Sequence, residues 1–388
     1  MTLATLDTGI IKVTPECRCC DHCTSVCPTM AIQGKLGEQH HIDVRKCLAC
    51  GQCLINCPFG AIEDVSMVDK VKKALADPNL FVVVQEAPAV RVALGEEFGM
   101  APGTNVKGKM YAALRKLGFD RVYDTEFGAD LTIMEEGTEL IHRILNYLGV
   151  PGYEHAGPLP QFTSCCPAWV KYAEDNYPGV LPYISSAKSP QQMFGAVAKT
   201  YAAQKLGVNP AQMFVVSVMP CTAKKYECNR PEMIASGHQD VDAVITTREL
   251  AGMIKEAGID FASLADEKAD KFVGLSTGAA TIFGATGGVM EAALRTAYEV
   301  LSGQPLEQIN FKKVRGLRPI REATVDIPVK DLGKTVSVKV CVVSGTKYVD
   351  GVIKEVLNNR SPYHFIEVMN CPGGCVNGGG QPIRRDTY

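Results

Sequence analysis

Cys17-Arg-Cys-Cys20-Asp-His-Cys23-Thr-Ser-Val-Cys27-Pro28 recurs downstream as Cys47-Leu-Ala-Cys50-Gly-Gln-Cys53-Leu-Ile-Asn-Cys57-Pro58. Each copy reads Cys-x2-Cys-x2-Cys-x3-Cys-Pro, and each is followed by a similar tail, Thr29-Met-Ala-Ile and Phe59-Gly-Ala-Ile. Thiolates at this spacing let one short loop wrap a soft metal centre, and they select iron–sulfur clusters or zinc. Eight of them in two matched runs favour a pair of clusters over a pair of zinc sites. Cys19 falls outside the pattern and reads as a bystander thiol.

In bacterial two-cluster ferredoxins the fourth cysteine of each run ligates the other cluster. On that pattern Cys17, Cys20, Cys23 and Cys57 hold one 4Fe–4S cluster, and Cys47, Cys50, Cys53 and Cys27 hold the other. This small ferredoxin-like domain is expected over residues 1–66, with a helical linker over 67–79.

The texture then changes. Phe81-Val-Val-Val, Phe214-Val-Val-Ser-Val-Met and Val338-Lys-Val-Cys-Val-Val are short runs of buried-strand character. Between them lie amphipathic helix candidates at Lys109–Leu117, Thr132–Leu148, Pro190–Leu206, Arg248–Ala257, Val289–Leu301 and Lys347–Leu357. Strands alternating with helices predict an α/β architecture with mostly parallel sheets flanked by helices, α+β when the ferredoxin-like domain is included. Residues 80–388 are too many for one compact core, so two lobes around a cleft are expected.

The totals are those of a globular chain. Of 388 residues, 46% are hydrophobic and 21% charged, and the formal charge of −2 gives no footing for nucleic acid. Sixteen cysteines are too many for chance, and their spacing is that of metal ligands rather than of a small disulfide scaffold. No uninterrupted apolar stretch is long enough to span a bilayer. The N-terminus shows neither a basic region before an apolar run nor a twin-arginine pair, so a reducing cytoplasm is expected. Periplasmic placement would require export with a partner that carries the signal.

Outside the repeat and Cys19, seven cysteines remain. Cys165 and Cys166 lie in Thr163-Ser-Cys-Cys-Pro-Ala-Trp169, Cys221 in Met219-Pro-Cys-Thr-Ala-Lys224-Lys-Tyr-Glu227, and Cys371 and Cys375 in Glu367-Val-Met-Asn-Cys-Pro-Gly-Gly-Cys-Val-Asn-Gly-Gly-Gly-Gln-Pro382. Cys228 and Cys341 stand alone, and Cys341 in its apolar run reads as a small hydrophobe. One thiol of the Cys165/Cys166 pair, with Cys221, Cys371 and Cys375, completes a third 4Fe–4S cube. Adjacent side chains diverge in extended backbone, so the other thiol of the pair is left beside the cube without being consumed by it. An accessible thiol there is a candidate acid–base group. Glycines around Cys371 and Cys375 let the main chain approach the sulfurs.

These three motifs together resemble the three signatures of the iron-only (di-iron) hydrogenases, and the resemblance runs from the ferredoxin repeat to Pro382. It implies a catalytic subunit that oxidises H2 reversibly to protons and electrons, with the cube held by Cys166, Cys221, Cys371 and Cys375. It also implies a di-iron unit bearing CO, CN⁻ and a bridging azadithiolate, attached through the Cys375 sulfur.

Glu136, Glu139 and Arg143 are spaced i, i+3, i+7 and share one helix face, which alone reads as a solvated salt-bridged row. The resemblance turns that row into a proton relay, from Arg143 and Glu139 through Ser185 and Glu136 to Cys165. Lys224, by itself an ordinary surface lysine one turn past Cys221, becomes by resemblance a charge-assisted donor to a cyanide. Met219, Met369 and Phe283 become pocket walls, as do Ala87-Pro88-Ala89 and Pro190-Gln191. Many relatives carry serine where this chain has Ala89, which removes one side-chain contact and leaves a backbone N–H. Phe283 sits in Thr281-Ile-Phe-Gly-Ala-Thr-Gly-Gly, which lacks the Gly-Lys-Ser/Thr ending of a phosphate loop and reads as helix packing.

Single-chain relatives continue past the closing motif into a helical belt, whereas Ile383-Arg-Arg-Asp-Thr-Tyr388 is all that follows here. The expectation is a belt that is missing or supplied by a partner chain, a small subunit or another subunit of a complex, with an exposed apolar groove beneath it. Further partners implied are a ferredoxin or cytochrome and the maturation proteins that install the di-iron unit. Two other functions fit the resemblance. One is a hydrogen sensor, which would carry altered motifs and a signalling domain. The other is a non-catalytic iron–sulfur protein of cluster assembly, which would not need Cys165, Lys224 and the Glu136–Glu139–Arg143 row together.

Overall fold

The computed structural model describes residues 9–271, 276–306, 314–316 and 318–383. Residues 1–8, which hold most of the stretch read above for a signal, and 384–388, the end of the short tail, lie outside the described residues. The chain divides into two compact units. The first comprises Met1–Gly128, Gln191–Ser276 and Val376–Tyr388, the second Ala129–Pro190 and Thr277–Cys375.

In the first unit the cysteine repeat folds as two equivalent loops, each leading into a short helix, His22–Val26 and Gln52–Ile55. Two antiparallel pairs frame them, Ile11–Val13 with Ile62–Asp64 and Ile32–Gln33 with His41–Ile42. The repeat is visible in the backbone as well as in the sequence. Cys19 (φ 57°) answers Ala49 (φ 54°), Asp21 (φ 61°) answers Gly51 (φ 69°), and Met30 (φ 52°) answers Gly60 (φ 66°). Left-handed residues at these places curl the chain so that successive N–H groups face inward.

The remainder of this unit is built on a four-stranded sheet ordered Arg121–Asp124, Phe81–Glu86, Met213–Met219, Ala243–Thr246, parallel throughout. Val82, Val83 and Val84, and Val215, Val216 and Val218, are all buried. β-Branched residues that show no polar alternation are what a strand covered on both faces requires. Burying each such side chain contributes about 1.5–3 kcal/mol. Helix Thr247–Glu256 follows its strand at once and starts with a capping box, Thr246 Oγ1 accepting from the Glu249 N–H at 3.2 Å and Glu249 Oε2 accepting from the Thr246 N–H at 2.7 Å. The expected helix Pro190–Leu206 is helical over its length but holds a π-helical segment at Ala198–Ala202, where buried Lys199 meets Asp242 at 2.7 Å.

The second unit carries a mixed four-stranded sheet ordered Ile320–Val329, Lys334–Ser344, Phe365–Met369, Gln161–Phe162. The first two strands form an antiparallel hairpin, and the other pairings are parallel. Val338, Val340, Val342, Ile327 and Phe365 pack against helix Gly288–Ser302 and the part of helix Glu126–Tyr147 within this unit. Gly287 (φ 87°) and Gly288 open the former helix, and a side chain on either would strike the carbonyl of Val314 or Ile282. The glycine-rich run therefore serves helix packing, as its sequence predicts.

Candidate metal centres and a buried acid file

Motifs from both units leave the carboxyl ends of adjacent parallel strands, the edge at which open α/β sheets bind ligands. In the first unit Ala87-Pro88-Ala89 follows strand Phe81–Glu86, and Pro220-Cys221 follows its neighbour Met213–Met219. In the second unit Thr163-Ser-Cys165-Cys166 follows Gln161–Phe162, and Asn370-Cys371 follows its neighbour Phe365–Met369. Cys166 then caps helix Pro167–Asn176, whose first residue is proline, the residue best suited to that position.

Two cavities lie within the cysteine repeat. One is lined by Cys17, Cys20, Cys23 and Cys57; the other by Cys27, Cys47, Cys50 and Cys53. Each set thus joins three cysteines of one run with the fourth of the other. The loops aim N–H groups at these sulfurs: Cys19 N–H at Cys17 Sγ (3.5 Å), Ala49 N–H at Cys47 Sγ (3.4 Å) and Ala31 N–H at Cys27 Sγ (3.3 Å). The side chain of Cys19 has no counterpart at Ala49, which accords with a bystander thiol. His40, buried beside Cys17, places Nε2 3.0 Å from Asp21 Oδ1.

The thiol chemistry fits a cluster. Burial and the neighbouring thiolates push Cys23 up to about 11, and burial pushes Cys53 well above the ordinary thiol value. Burial also works against the Cys17 thiolate, yet the N–H groups of His40 and Cys19 and the His40 ring outweigh it and leave its pKa lowered. Crowded, buried thiolates of this kind need the positive charge of a metal centre to coexist. None of the sixteen cysteines is in a disulfide. Among the described residues no three His, Cys, Asp or Glu side chains close on a single ion. Thiolates around a four-iron cube stand further apart than ligands on bonds of about 2.3 Å to one zinc.

Of the second cysteine set, Cys166, Cys371 and Cys375 lie in the second unit and Cys221 in the first. Asn370 N–H points at Cys166 Sγ (3.4 Å). Gly373 (φ 83°) and Gly374 (φ 101°) separate Cys371 from Cys375, and a Cβ on Gly374 would lie 2.5 Å from the Thr286 nitrogen. Within the first unit, a Cβ on Gly380 would lie 3.0 Å from the Cys221 nitrogen. At Gly374, next to Cys375, the left-handed backbone and the approach to Thr286 and Ala285 require glycine. Cys228 and Cys341 are fully buried and burial pushes both up to about 12, so they act as small hydrophobes.

Hydrogen bonds join the outer part of the acid row, from Arg143 through Glu139 to Ser185. Arg143 Nη2 donates to Glu139 Oε1 at 2.6 Å, and Ser185 Oγ donates to Glu139 Oε2 at 2.7 Å. Glu139 is the most exposed member, with 20% of its side chain accessible, against 4% for the Arg143 side chain and residue values of 6% at Ser185 and 0% at Glu136. Burial pushes the Glu136 carboxyl up to about 8, and the Ser164 N–H at 3.2 Å and the Ser185 hydroxyl only partly oppose it. Glu136 Oε2 has no hydrogen-bond partner. Cys165, one residue past Ser164, is buried in the same core as Phe283 and Met369. A solvated salt-bridged face, the ordinary reading of such a row, is therefore not what folds.

Lys224 Nζ lies 2.9 Å from Glu227 Oε2, which also accepts from Gln191 Nε2 at 3.1 Å. The sequence signal for the Glu227 role is its i, i+3 spacing from Lys224 on helix Ala223–Cys228. Met219 is buried in the first unit, and Ala87 and Ala89 are buried above the sheet, with the Ala89 carbonyl accepting from Gln381 Nε2 at 2.9 Å. Pro190 and Gln191 fall on either side of the division between the units. Sequence reasoning missed a buried network at the same strand ends. Arg91 meets Glu86 (2.5 Å), Asp124 (2.8 Å) and Glu126 (2.9 Å), and Tyr111 donates to Glu86 at 3.0 Å. The one available hint was a Glu and an Arg flanking Ala87-Pro88-Ala89.

Paired cysteine cavities and strand-end cysteine motifs in an α/β scaffold define an iron–sulfur redox protein. The profile of the family described as "Iron only hydrogenase large subunit, C-terminal domain" matches residues 80–379, and that of an iron–sulfur cluster-binding domain matches 15–68. The chain belongs to the iron-only hydrogenase family. It is 54% identical to a periplasmic iron hydrogenase large subunit of Nitratidesulfovibrio vulgaris over 95% of this chain and 85% of that protein. It is 31% identical to cytosolic iron–sulfur assembly component 3 of Bos taurus, over 89% of this chain and 72% of that one. Its structure resembles that of an FeFe-hydrogenase variant from Chlamydomonas reinhardtii, with a TM-score of 0.72 and 41% identity, covering 82% of this chain and 85% of the other. Among the described residues no helix is long and apolar enough to cross a membrane.

Proposed function

We propose that this chain oxidises H2 reversibly to protons and electrons. Cys17, Cys20, Cys23 and Cys57 would hold one 4Fe–4S cluster, Cys47, Cys50, Cys53 and Cys27 a second, and Cys166, Cys221, Cys371 and Cys375 a third. Cys375 would also carry the di-iron unit. When bound, that unit supplies the centre at which the H–H bond is broken or made.

The protein's own part is to move protons and electrons apart. Ser185, hydrogen-bonded to Glu139 at 2.7 Å, would pass the proton between that half-buried carboxylate and Glu136. Glu136, with a pKa raised to about 8, both gives and takes a proton near neutrality. Cys165 exchanges that proton with the site. Lys224, tethered by Glu227, keeps an ammonium near Cys221 where a cyanide would accept from it. Met219, Met369 and Phe283 exclude water.

The observation that carries this reading is Glu136 itself, a fully buried carboxyl at the inner end of an acid file. A ferredoxin or cytochrome would exchange electrons with the ferredoxin-like domain. Maturation proteins would install the di-iron unit, and the "large subunit" in the relative's name supports a smaller partner here. Its periplasmic location makes the periplasm the compartment to examine beside the cytoplasm. The 31% relation to an iron–sulfur assembly component supports a second reading, a non-catalytic cluster protein. Hydrogen evolution from a reduced dye, after the di-iron cofactor is inserted, decides between them; no turnover in the fully assembled protein would sink the enzymatic reading.

A further inference from the structure

Three segments of the first unit meet at one dry point. They are Cys47–Gln52, from the second cysteine loop; Pro220–Thr222, which contains Cys221; and Asn377–Gln381, from the closing motif. Thr222 is fully buried, and its Oγ1 donates to the carbonyl of Ala49 at 2.6 Å. Ala49 is equally buried and is held with φ at 54°, a conformation a non-glycine residue adopts only when its surroundings fix it. Beside this bond the backbones of Gly51 and Gly379 touch: a Cβ on Gly51 would lie 2.7 Å from Thr222 Oγ1 and 2.9 Å from Gly379 Cα, and one on Gly379 would lie 2.6 Å from Gly51 Cα. Gln52 Nε2 closes the contact by donating to the Asn377 carbonyl at 2.9 Å.

We propose that the Thr222 hydroxyl is the electron crossing between the second ferredoxin-type cluster and the cube. This rests on the reading that Cys50 and Cys221 ligate those two centres. Covalent bonds run from the Cys50 sulfur to its own nitrogen and the Ala49 carbonyl. One hydrogen bond then leads to Thr222, and covalent bonds lead on to Cys221. Electron tunnelling decays less steeply through bonds, including hydrogen bonds, than across a van der Waals gap, so this single short bond replaces the costliest part of the passage. One electron crosses at a time. The cluster of Cys47, Cys50, Cys53 and Cys27 is oxidised and the cube reduced, or the reverse, and the Thr222 proton stays on its oxygen. Thr222 is a positioning residue. It touches neither H2 nor the reacting iron, and it couples two ligand loops that are far apart in sequence.

The test uses the full chain loaded with its three four-iron clusters. Thr222→Val keeps the shape and deletes the hydroxyl, Thr222→Ser keeps the hydroxyl, and Thr222→Ala serves if the valine variant loads poorly. A light-driven dye injects one electron, and transient absorption follows its redistribution between clusters. Iron content, electron paramagnetic resonance spectra and midpoint potentials are recorded alongside. The expected result is redistribution several-fold slower in Thr222→Val and Thr222→Ala, the wild-type rate in Thr222→Ser, and unchanged potentials and spectra in all three. A wild-type rate in a loaded Thr222→Val or Thr222→Ala protein overturns the proposal, as does a slow Thr222→Ser. Wild-type protein without the cluster signals overturns the ligand reading, and the crossing falls with it.

Discussion

Replacing Glu136 by glutamine isolates the proton-handling part of the site. The side chain is fully buried, and burial, reinforced by Glu139 and Glu367, lifts its pKa from the ordinary 4.5 to about 8. At pH 7 such a group is protonated roughly ten times for each time it is ionised. The sign of its effect on stability follows from the same values. The folded state holds this proton more tightly than the unfolded state does. The stability it contributes is therefore complete below about pH 4.5 and is lost as pH rises through about 8. The gap corresponds to about 5 kcal/mol at most. Glu136→Gln should flatten the pH dependence of unfolding across that window. It should also remove from the infrared spectrum a protonated-carboxyl band that vanishes in the wild type near pH 8. Because glutamine occupies the same space but cannot pass a proton on, hydrogen evolution should fall by about 10²–10⁴-fold, the range that positioned acid–base groups contribute. Iron content should be unchanged. A Glu136→Gln protein that keeps its clusters and evolves hydrogen at the wild-type rate, with the wild-type pH profile, would refute the relay.

Cys165→Ala should keep the iron of all three clusters and lose turnover by a similar factor; undiminished hydrogen evolution would remove Cys165 from the relay. Gly374→Ala forces a side chain into φ 101° with its Cβ 2.5 Å from the Thr286 nitrogen and 2.9 Å from the Ala285 carbonyl carbon, both backbone atoms that cannot rotate away. Strain alone costs about 1–3 kcal/mol, so thermal stability and cube iron should both fall, and a protein with normal iron would contradict the cradle. Lys225 is fully buried and bridges Asp64 (2.7 Å) and Glu249 (2.8 Å), tying the ferredoxin-like strand Ile62–Asp64 to helix Thr247–Glu256. Lys225→Met strips Glu249 of its cation and leaves Asp64 only Arg248 at 3.0 Å, and should cost about 3–5 kcal/mol in denaturant unfolding; a loss within error of zero would show that water replaces the lysine.

What could be read in the sequence depended on how far each interaction reaches along the chain. The pairing of Cys57 with Cys17, Cys20 and Cys23 follows from a local spacing rule, and the cavity those residues line has that composition. Phe81-Val-Val-Val showed itself as a covered strand because β-branched runs have few other uses. Phe214-Val-Val-Ser-Val-Met is legible for the same reason, within strand Met213–Met219, but Arg121–Asp124 is not, and neither is the pairing of the three, since parallel pairing leaves no turn to announce it. Helix Glu126–Tyr147 begins well before the expected Thr132, because the Asp124–Glu126 segment is anchored by Arg91, a tertiary partner without periodicity. The π-helical segment at Ala198–Ala202 was hidden for the same reason: the buried Lys199–Asp242 pair belongs to the packed structure. Nothing local marks Thr222, because its partner Ala49 is 173 residues away along the chain.

Structural cost separates the enzymatic reading from the non-catalytic one. Four of the five non-glycine residues with positive φ among those described, Cys19, Asp21, Met30 and Ala49, lie in the cysteine repeat. Strain there is what two clusters demand, whether electrons are carried to a catalyst or merely stored, so it does not discriminate. Glu136 does. An unpartnered buried polar atom costs about 1–3 kcal/mol, and Glu136 Oε2 is such an atom on a carboxyl that burial already pushes up to about 8. Glutamine there could keep the Ser164 N–H bond without the charge, and methionine could fill the space without any polar atom. A cluster carrier has no use for a titratable group at this depth, beside a Ser185 that is itself hydrogen-bonded to a half-buried Glu139. A proton-transferring enzyme needs all three. If the Glu136 carboxyl proves ionised at every pH from 5 to 9 in the loaded protein, this argument fails, and the carrier reading regains its ground.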